Sequence, residues 1–188
     1  MNFDNNLDLM NSLANDIKTC KLCQLSNFRK NAVPGEGGFK KKLMIIGEAP
    51  GYYEDQVGRP FIGAAGKILR NILKKYCIDE DDVFITNIVK CRPPNNRQPK
   101  KEEKDLCIRY LETQIELLQP RLICILGNIA SSYILGLKSL TRERGRIIEK
   151  RNKNYFITYH PAATIYNREL LSTFENDIKK LGEIINNN

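Results

Sequence analysis

The sequence predicts an α/β protein built in three layers, α/β/α, around a central four-stranded parallel sheet. Short apolar runs of strand length alternate along the chain with longer amphipathic patterns of helical period. Strands that alternate with helices form parallel sheets that are covered on both faces. The chain has 188 residues, of which 41% are hydrophobic, and this suits one domain with its own core.

The elements follow one another without an internal repeat or a second core. We therefore predict a single domain over 1–188 that begins with a helix and a loop carrying Cys20 and Cys23, and that ends in a frayed tail at 186–188. The predicted helices cover 5–18, 66–77, 100–118, 127–135 and 168–185, and the predicted strands cover 43–47, 83–89, 121–126 and 154–159.

The carboxyl ends of the four strands are predicted to lie along one edge of the sheet. The strands end near Gly47, Asn87, Gly127 and Tyr159. Open α/β sheets bind small molecules at such an edge. A glycine-rich loop, a basic proline-rich loop and His160 follow these strand ends, so we expect the functional site there.

The segment from Gly47 to Lys67, GEAPGYYEDQVGRPFIGAAGK, is the strongest signal in the chain. It contains five glycines and two prolines and joins a buried strand to a helix. Glycines let backbone N–H groups approach a flat ligand closely, although a strained connection without a ligand has a similar composition. The segment lacks the residue order of a phosphate-binding loop or a dinucleotide-binding turn, which argues against those ligands.

Two polar residues at the predicted edge are candidates for chemistry. Asn87 interrupts an apolar strand, and a buried amide must be satisfied, either by a neighbouring loop or by a planar base that offers a donor and an acceptor. His160 is the only histidine and comes directly after the last strand, before Pro161. That position makes a catalytic or ligand-binding role as plausible as an ordinary surface role.

The charge distribution favours nucleic acid as a partner. The net charge is +8, and basic residues gather in the segments 40–42, 90–101 and 138–153. Such runs are often only a solvated surface, but several basic loops around one cleft form an electrostatic footprint for nucleic acid. The N-terminus does not resemble a signal peptide, and no apolar run approaches twenty residues, so we expect a cytoplasmic, intracellular protein without a membrane span.

Six cysteines suggest a metal site. Cys20 and Cys23 form a C-x-x-C on a polar loop, while Cys91 follows a strand and Cys107 lies in a helical pattern. In an intracellular chain such cysteines more often bind metal or act in redox chemistry than form disulfides. Their spacing leaves zinc and an iron–sulfur cubane both open. Cys77 and Cys124 are predicted to be small core residues.

Several motifs in one order give the chain a specific resemblance. They are C-K-L-C, GEAPGYYEDQVGRPFIGAAG, TNIVKCRPPNNRQP, the cysteine at 107, LGNIASSYILG, TRERG and YHPAA, and they extend from Cys20 to about Ala163. On these motifs the chain resembles the family 4 uracil-DNA glycosylases, the iron–sulfur branch of the uracil-DNA glycosylase superfamily. The TRERG segment lacks the histidine-bearing insertion of uracil-trapping relatives, which favours ordinary turnover.

The resemblance implies a role for each matching position. Gly47, Glu48 and Ala49 would line a uracil pocket, and Glu48 would hold or activate the attacking water. His160 would contact the uracil carbonyl beside the breaking bond. Phe61 would stack on the base, Asn87 would bond its pairing edge, and Cys20, Cys23, Cys91 and Cys107 would hold a [4Fe–4S] cluster.

The same resemblance implies a substrate and a DNA surface. The expected substrate is uracil-containing DNA, single- or double-stranded, acted on by a monomer, with a clamp or polymerase partner left open. A non-catalytic DNA-binding or processivity protein on the same scaffold and an unrelated nucleotide-binding zinc protein are the alternatives. Relatives often carry leucine and arginine in a DNA-entering loop where this chain has TIYNREL. The candidate DNA contacts are Lys90, Arg92, Arg97, Lys100 and, as the wedge that enters the DNA, Ile165 or Tyr166.

Overall fold

A five-stranded sheet forms the centre of the computed structural model, which describes residues 3–186. The strand order is β2-β1-β3-β5-β4; β1, β2, β3 and β5 are parallel to one another, and β4 is antiparallel to β5. The predicted α/β class and the four parallel strands are confirmed, and the sheet has one strand more than predicted. The strands are β1 (Leu43–Gly47), β2 (Val83–Asn87), β3 (Leu122–Leu126), β4 (Ile147–Lys150) and β5 (Lys153–Thr158).

The additional strand is short and lies at the edge of the sheet. A two-residue turn at Arg151 and Asn152 joins β4 to β5, and both turn residues have positive φ, 50° and 57°. Turns of this kind match the twist of paired antiparallel strands. None of the four residues of β4 is fully buried, so the segment lacks the long apolar run by which the other strands are recognised.

Eight α-helices are present among the described residues. The five long helices agree with the predicted ones to within about two residues at most ends, and the three short helices, α2, α6 and α7, lie in segments predicted as loops. The helices are α1 (Phe3–Thr19), α2 (Tyr52–Val57), α3 (Ala64–Lys75), α4 (Lys101–Leu118), α5 (Asn128–Leu135), α6 (Leu140–Glu143), α7 (Pro161–Tyr166) and α8 (Glu169–Asn186).

The helices cover both faces of the sheet and so complete the three layers. Successive residues of a strand point to opposite faces. Met44 and Ile46 pack with helices α1, α4 and α5 on one face. Leu43 and Ile45 pack with helices α3 and α8 on the other face. Both apolar clusters share the same strands, which is the arrangement expected of one domain.

The final helix includes the first residue of the predicted frayed tail, Asn186. The final helix runs to Asn186, and residues 187 and 188 of the predicted tail lie outside the described residues. Between residues 3 and 186, no helix is both long enough and apolar enough to cross a membrane.

Candidate active site and cysteine cavity

The carboxyl ends of the parallel strands bring the predicted site residues together. Gly47 at the end of β1 lies directly opposite Asn87 at the end of β2. The N–H of Gly127, after β3, donates to the carbonyl of Thr158 at 2.9 Å. His160 follows two residues later, so four consecutive strand ends supply one surface.

A cleft opens at this edge of the sheet. Its lining includes Glu48, Ala49, Phe61, Asn87 and His160, and we call it the edge cleft. Five of the six residues that the sequence assigns to base binding and catalysis therefore face one space. The sixth, Gly47, lies directly beneath them.

The absence of a side chain at Gly47 lets Asn87 and Phe61 approach each other in the cleft. A Cβ atom at this position would lie 2.4 Å from Oδ1 of Asn87 and 2.6 Å from Cζ of Phe61. Both distances are shorter than atoms can approach without displacement. A side chain at Gly47 would therefore push apart the asparagine amide and the phenylalanine ring that form the cleft.

The glycine-rich loop holds Phe61 in an unusual backbone conformation. Phe61 has a φ of 52°, in the left-handed region that side chains rarely adopt. Oε1 of Glu54 accepts hydrogen bonds from the N–H groups of Ile62 and Gly63, both at 2.9 Å. Nε of Arg70 donates to the carbonyl of Phe61 at 3.1 Å. These contacts on both sides fix the ring, which is 5% exposed, against the cleft.

Asn87 carries the most informative atom of the cleft. Its side chain is 1% exposed, and among the described residues its Oδ1 is a buried side-chain oxygen without a hydrogen-bond partner. An unpaired buried acceptor costs roughly 1–3 kcal/mol. An oxygen kept in that state, at the floor of a cleft, is suited to accept an N–H from a ligand.

His160 is held as a neutral donor. Its Nδ1 accepts the N–H of Ala162 at 3.2 Å and so caps the start of α7. Burial lowers the pKa of His160 to about 4, although the charge of Glu54 acts in the opposite direction. A neutral imidazole that accepts at Nδ1 carries its proton on Nε2. The ring lies 5.7 Å from that of Phe61, between ring centres.

Glu48 directly follows Gly47 and lines the edge cleft. Its carbonyl accepts the N–H of Val89 at 3.2 Å, which fixes the backbone. Burial raises the pKa of its carboxyl above the ordinary value, and the charge of Lys104 partly opposes this shift. A carboxylate that is partly desolvated in this way is a stronger proton acceptor than a fully hydrated one.

The four candidate metal ligands also meet in one place. Cys20, Cys23, Cys91 and Cys107 line a second cavity, between α1 and α4, which we call the cysteine cavity. Burial raises the pKa of Cys107 to about 11 and also raises the pKa of Cys91, while Lys90 and Arg29 respectively oppose these shifts. Within residues 3–186, no group of three or more His, Cys, Asp or Glu side chains is arranged around a single-ion position.

Three of the four sulfurs of this cavity accept a hydrogen bond from the protein. Nη1 of Arg29 lies 2.9 Å from Sγ of Cys91, and the N–H of Lys90 lies 3.3 Å from Sγ of Cys107. The N–H of Leu22 lies 3.5 Å from Sγ of Cys20. Cationic and N–H donors of this kind stabilise thiolates, which are the form that binds metal.

The other two cysteines lie outside the cavity. Cys124 is buried in β3, as predicted. The prediction for Cys77 is wrong, because this residue is exposed. It follows the end of α3 in a left-handed conformation, with a φ of 58°, and its side chain points away from the core.

The predicted DNA surface needs one correction. Lys90 was expected to contact phosphate, and this is wrong because its side chain is only 1% exposed and lies behind Asn87. Lys100 is exposed, as expected. Arg92 lies over the ring of Tyr52 at 5.1 Å, and Arg97 pairs with Glu103 at 2.6 Å, so both are partly engaged within the protein.

The residues proposed as a wedge lie on a helix rather than in a loop. Ile165 and Tyr166 are the last two residues of α7. Tyr166 is 90% exposed and reaches the lining of the edge cleft, while Ile165 is 44% exposed. Two contributors to the site were missed from the sequence. They are Glu54, which fixes the loop at Phe61, and Tyr52, which stacks with Arg92 beside the cleft.

Comparisons with known proteins agree with this geometry. The family model described as the uracil DNA glycosylase superfamily matches residues 34–182. The chain is 44% identical to a type-4 uracil-DNA glycosylase of Sulfurisphaera tokodaii, over 95% of this chain and 86% of that protein. It is 38% identical to a type-4 uracil-DNA glycosylase of Archaeoglobus fulgidus, over 95% and 94% of the two chains. A third type-4 enzyme, from Thermotoga maritima, is 40% identical over 95% of each chain.

Proposed function

The chain belongs to the uracil DNA glycosylase superfamily, and we propose that it is a monofunctional uracil-DNA glycosylase of base excision repair. In this proposal the enzyme binds uracil that has left the base stack and hydrolyses its N-glycosidic bond. The products are free uracil and an abasic site. The observation that carries the proposal is the buried, unpaired Oδ1 of Asn87 at the floor of the edge cleft.

Asn87 provides the choice of base. Uracil presents an N3–H donor beside its O4 acceptor, and an asparagine amide can accept from the first and donate to the second. Cytosine presents N3 as an acceptor and a donating amino group at the same edge. The wrong base would leave buried polar groups facing like groups, which is a strong basis for rejection.

Phe61 and the fixed loop accept the extruded base. A base that leaves the stack loses its neighbours, and an aromatic ring recovers about 1–3 kcal/mol of that stacking. The contacts from Glu54 and Arg70 hold the ring before the base arrives. Gly47 supports the proposal because its missing side chain lets the ring and the amide approach each other.

His160 and Glu48 divide the chemistry. As the glycosidic bond breaks, the base leaves with negative charge, and the Nε2–H of a neutral His160 can donate to the uracil carbonyl beside that bond. The sugar becomes positively charged at the same time. The Glu48 carboxylate can stabilise this charge and accept a proton from the attacking water, which then adds to the sugar carbon.

The cysteine cavity fits an iron–sulfur cluster in this proposal. Its four thiols, three of which accept a hydrogen bond from an N–H or guanidinium group, match the donor set of a [4Fe–4S] cluster that Cys20, Cys23, Cys91 and Cys107 would hold. When bound, such a cluster would cross-link the loop after α1, the segment between β2 and α4 that carries Cys91, and α4 itself.

DNA would approach over the edge cleft. Arg97 and Tyr166 line the cleft, and Arg92, Lys100 and Ile165 are close to them along the chain. In this proposal the basic side chains contact phosphates of the DNA, and Ile165 or Tyr166 enters the gap that the base leaves. The enzyme would act as a monomer, on single- or double-stranded DNA, inside the cell. The net charge of +8 supports this choice of partner.

The direct test is incubation of the purified protein with an oligonucleotide that contains one uracil. Alkali cleaves the abasic product, and a sizing gel reports it. We expect cleavage at the uracil, and none when thymine or cytosine occupies the same position. Binding without cleavage would overturn the proposal and favour the non-catalytic, DNA-binding alternative.

A further inference from the structure

Lys90 lies behind the edge cleft in an unusual position for a lysine. Its side chain is fully buried, and no carboxylate is among its hydrogen-bond partners. Its amino group donates to Oγ1 of Thr86 at 2.6 Å, to the carbonyl of Asn87 at 2.8 Å and to Oε1 of Gln114 at 2.7 Å. In its charged form Lys90 has three N–H donors, and these three contacts use all of them.

The partners of Lys90 close a ring of hydrogen bonds. Oγ1 of Thr86 donates its proton to the carbonyl of Pro34 at 3.0 Å, and Nε2 of Gln114 donates to the same carbonyl at 2.8 Å. Each member therefore has a fixed direction, from Lys90 through Thr86 or Gln114 to Pro34. We call these four residues the Lys90 ring.

The ring is attached to the cleft through one bond. The third donor of Lys90 holds the carbonyl of Asn87, whose side chain carries the unpaired Oδ1. The backbone of Lys90 is fixed as well, because its carbonyl accepts the N–H of Val33 at 2.7 Å. The carbonyl of the peptide bond after Asn87 is thus held by Lys90, which does not line the edge cleft.

We infer that Lys90 is a positioning residue, which sets the orientation of the Asn87 amide through the Lys90 ring. Asn87 ends β2, and the N–H groups of Ile88 and Val89 still donate to the carbonyls of Gly47 and Glu48, at 3.0 and 3.2 Å. These bonds hold the backbone on the side of β1, whereas the carbonyl of Asn87, which points the other way, is held by Lys90. An amide that reads a base must be held within a few tenths of an ångström, and the buried ring supplies that restraint. This inference rests on the proposed glycosylase function, and it adds a residue that neither touches the base nor contacts DNA.

A double-mutant cycle with Asn87→Ala tests the inference. Lys90→Met keeps much of the side-chain length and removes all three donors. We expect it to lower the single-turnover rate on uracil DNA at least tenfold, with the affinity for DNA carrying an abasic-site analogue unchanged within twofold. In the Asn87→Ala background the same change should alter the remaining rate less than twofold, because the amide that it positions is gone.

A second variant keeps the test informative if Lys90→Met folds poorly. Thr86→Val preserves shape and removes one acceptor of the ring; we expect a threefold or larger loss of rate with the same dependence on Asn87. Thr113→Val, which breaks only a hydrogen bond to Arg109 within α4, is the matched control and should leave the rate unchanged. Thermal melting of every variant is measured alongside.

The outcomes separate the two proposals. Suppose that the wild-type protein excises uracil, but Lys90→Met lowers the rate by the same factor with and without Asn87→Ala. The Lys90 ring is then only structural, and the inference is overturned. A rate loss that follows the melting temperature, or a loss of DNA affinity equal to the loss of rate, would overturn it too. If the wild-type protein does not excise uracil, the proposed function itself fails.

Discussion

The edge cleft and the cysteine cavity differ in whether their polar atoms have hydrogen-bond partners within the protein. In the cleft, Oδ1 of Asn87 is buried without a partner among residues 3–186. In the cavity, the sulfurs of Cys20, Cys91 and Cys107 each accept a hydrogen bond from the protein. The two sites lie only a few residues apart along the chain, from Asn87 to Cys91, so the contrast is local.

This difference indicates what each site contributes. A polar atom left unpaired lowers stability and becomes useful only when a ligand pairs with it. Sulfurs that accept hydrogen bonds from the protein do so whether or not substrate is present, which is what a structural role requires. We therefore expect changes in the cleft to affect the rate more than stability, and changes in the cavity to do the reverse.

Cys107→Ala should produce the largest effect and should act on stability. Loss of one of four ligands is expected to remove the proposed cluster, which would cost on the order of 5 kcal/mol or more of folding free energy. Iron per chain, visible absorbance and the melting temperature should all fall. Cys124→Ala, in β3 and outside the cavity, is the matched control and should keep its iron. A colourless wild-type protein with one zinc would contradict the cluster assignment.

Glu48→Gln should produce the next largest effect and should act on the rate. Loss of a positioned proton acceptor typically lowers a rate about a hundredfold or more. Stability should stay equal or rise, because the pKa of Glu48 is raised by burial, which means that the charged form is held at a cost. Glu112→Gln, at an exposed site on α4, serves as the control. Full single-turnover activity in Glu48→Gln would remove the catalytic role proposed for this residue.

The fold was predictable because its long elements carry strong local patterns. The four parallel strands are continuous apolar runs, and the five long helices have caps, breakers or amphipathic faces that mark their ends. The helices α2, α6 and α7 have four to six residues each, too few for a helical period to be visible. Their conformation depends on tertiary contacts, such as the hydrogen bonds that Glu54 of α2 makes to the loop around Phe61.

The site was predictable to the extent that its residues follow strand ends. Asn87 and His160 stand out because they are polar residues at the ends of apolar strands. Lys90 was misread because a lysine in a basic segment is ordinarily exposed, and its burial depends on Gln114 and Pro34, which are distant in sequence. The same limitation explains why the stack of Tyr52 with Arg92 was not expected.

The burial of His160 in the edge cleft should make the stability of the protein depend on pH. Its pKa is about 4 in the folded protein, below its ordinary value of 6.5, because of burial. Between these values the unfolded chain binds more protons, so stability is complete above pH 6.5 and falls by about 3 kcal/mol towards pH 4. His160→Asn retains a helix-capping oxygen. Denaturant titrations above pH 6.5 and near pH 4 should show this loss of stability in the wild-type protein and a smaller loss in His160→Asn. Equal losses in the two proteins would contradict the role given to His160.

The smallest expected effect concerns the DNA surface, which belongs to neither side of the comparison. Arg92→Gln with Lys100→Gln should lower the slope of log affinity against log salt by about 1.8 units on duplex DNA, because each lost phosphate contact removes about 0.9. Arg97 is left unchanged, since its pairing with Glu103 already neutralises much of its charge.

Fluorescence anisotropy with an abasic-site duplex at several salt concentrations measures the slope. The control is Lys179→Gln with Lys180→Gln, which removes the same charge from exposed positions of α8. This helix packs with α3 on one face of the sheet. Both double variants have the same net charge. A difference between their salt slopes therefore reports local contacts with DNA and not long-range attraction. Equal slopes in the two double variants would place Arg92 and Lys100 away from DNA. The contacts to the DNA backbone would then have to be sought around Ile165 and Tyr166.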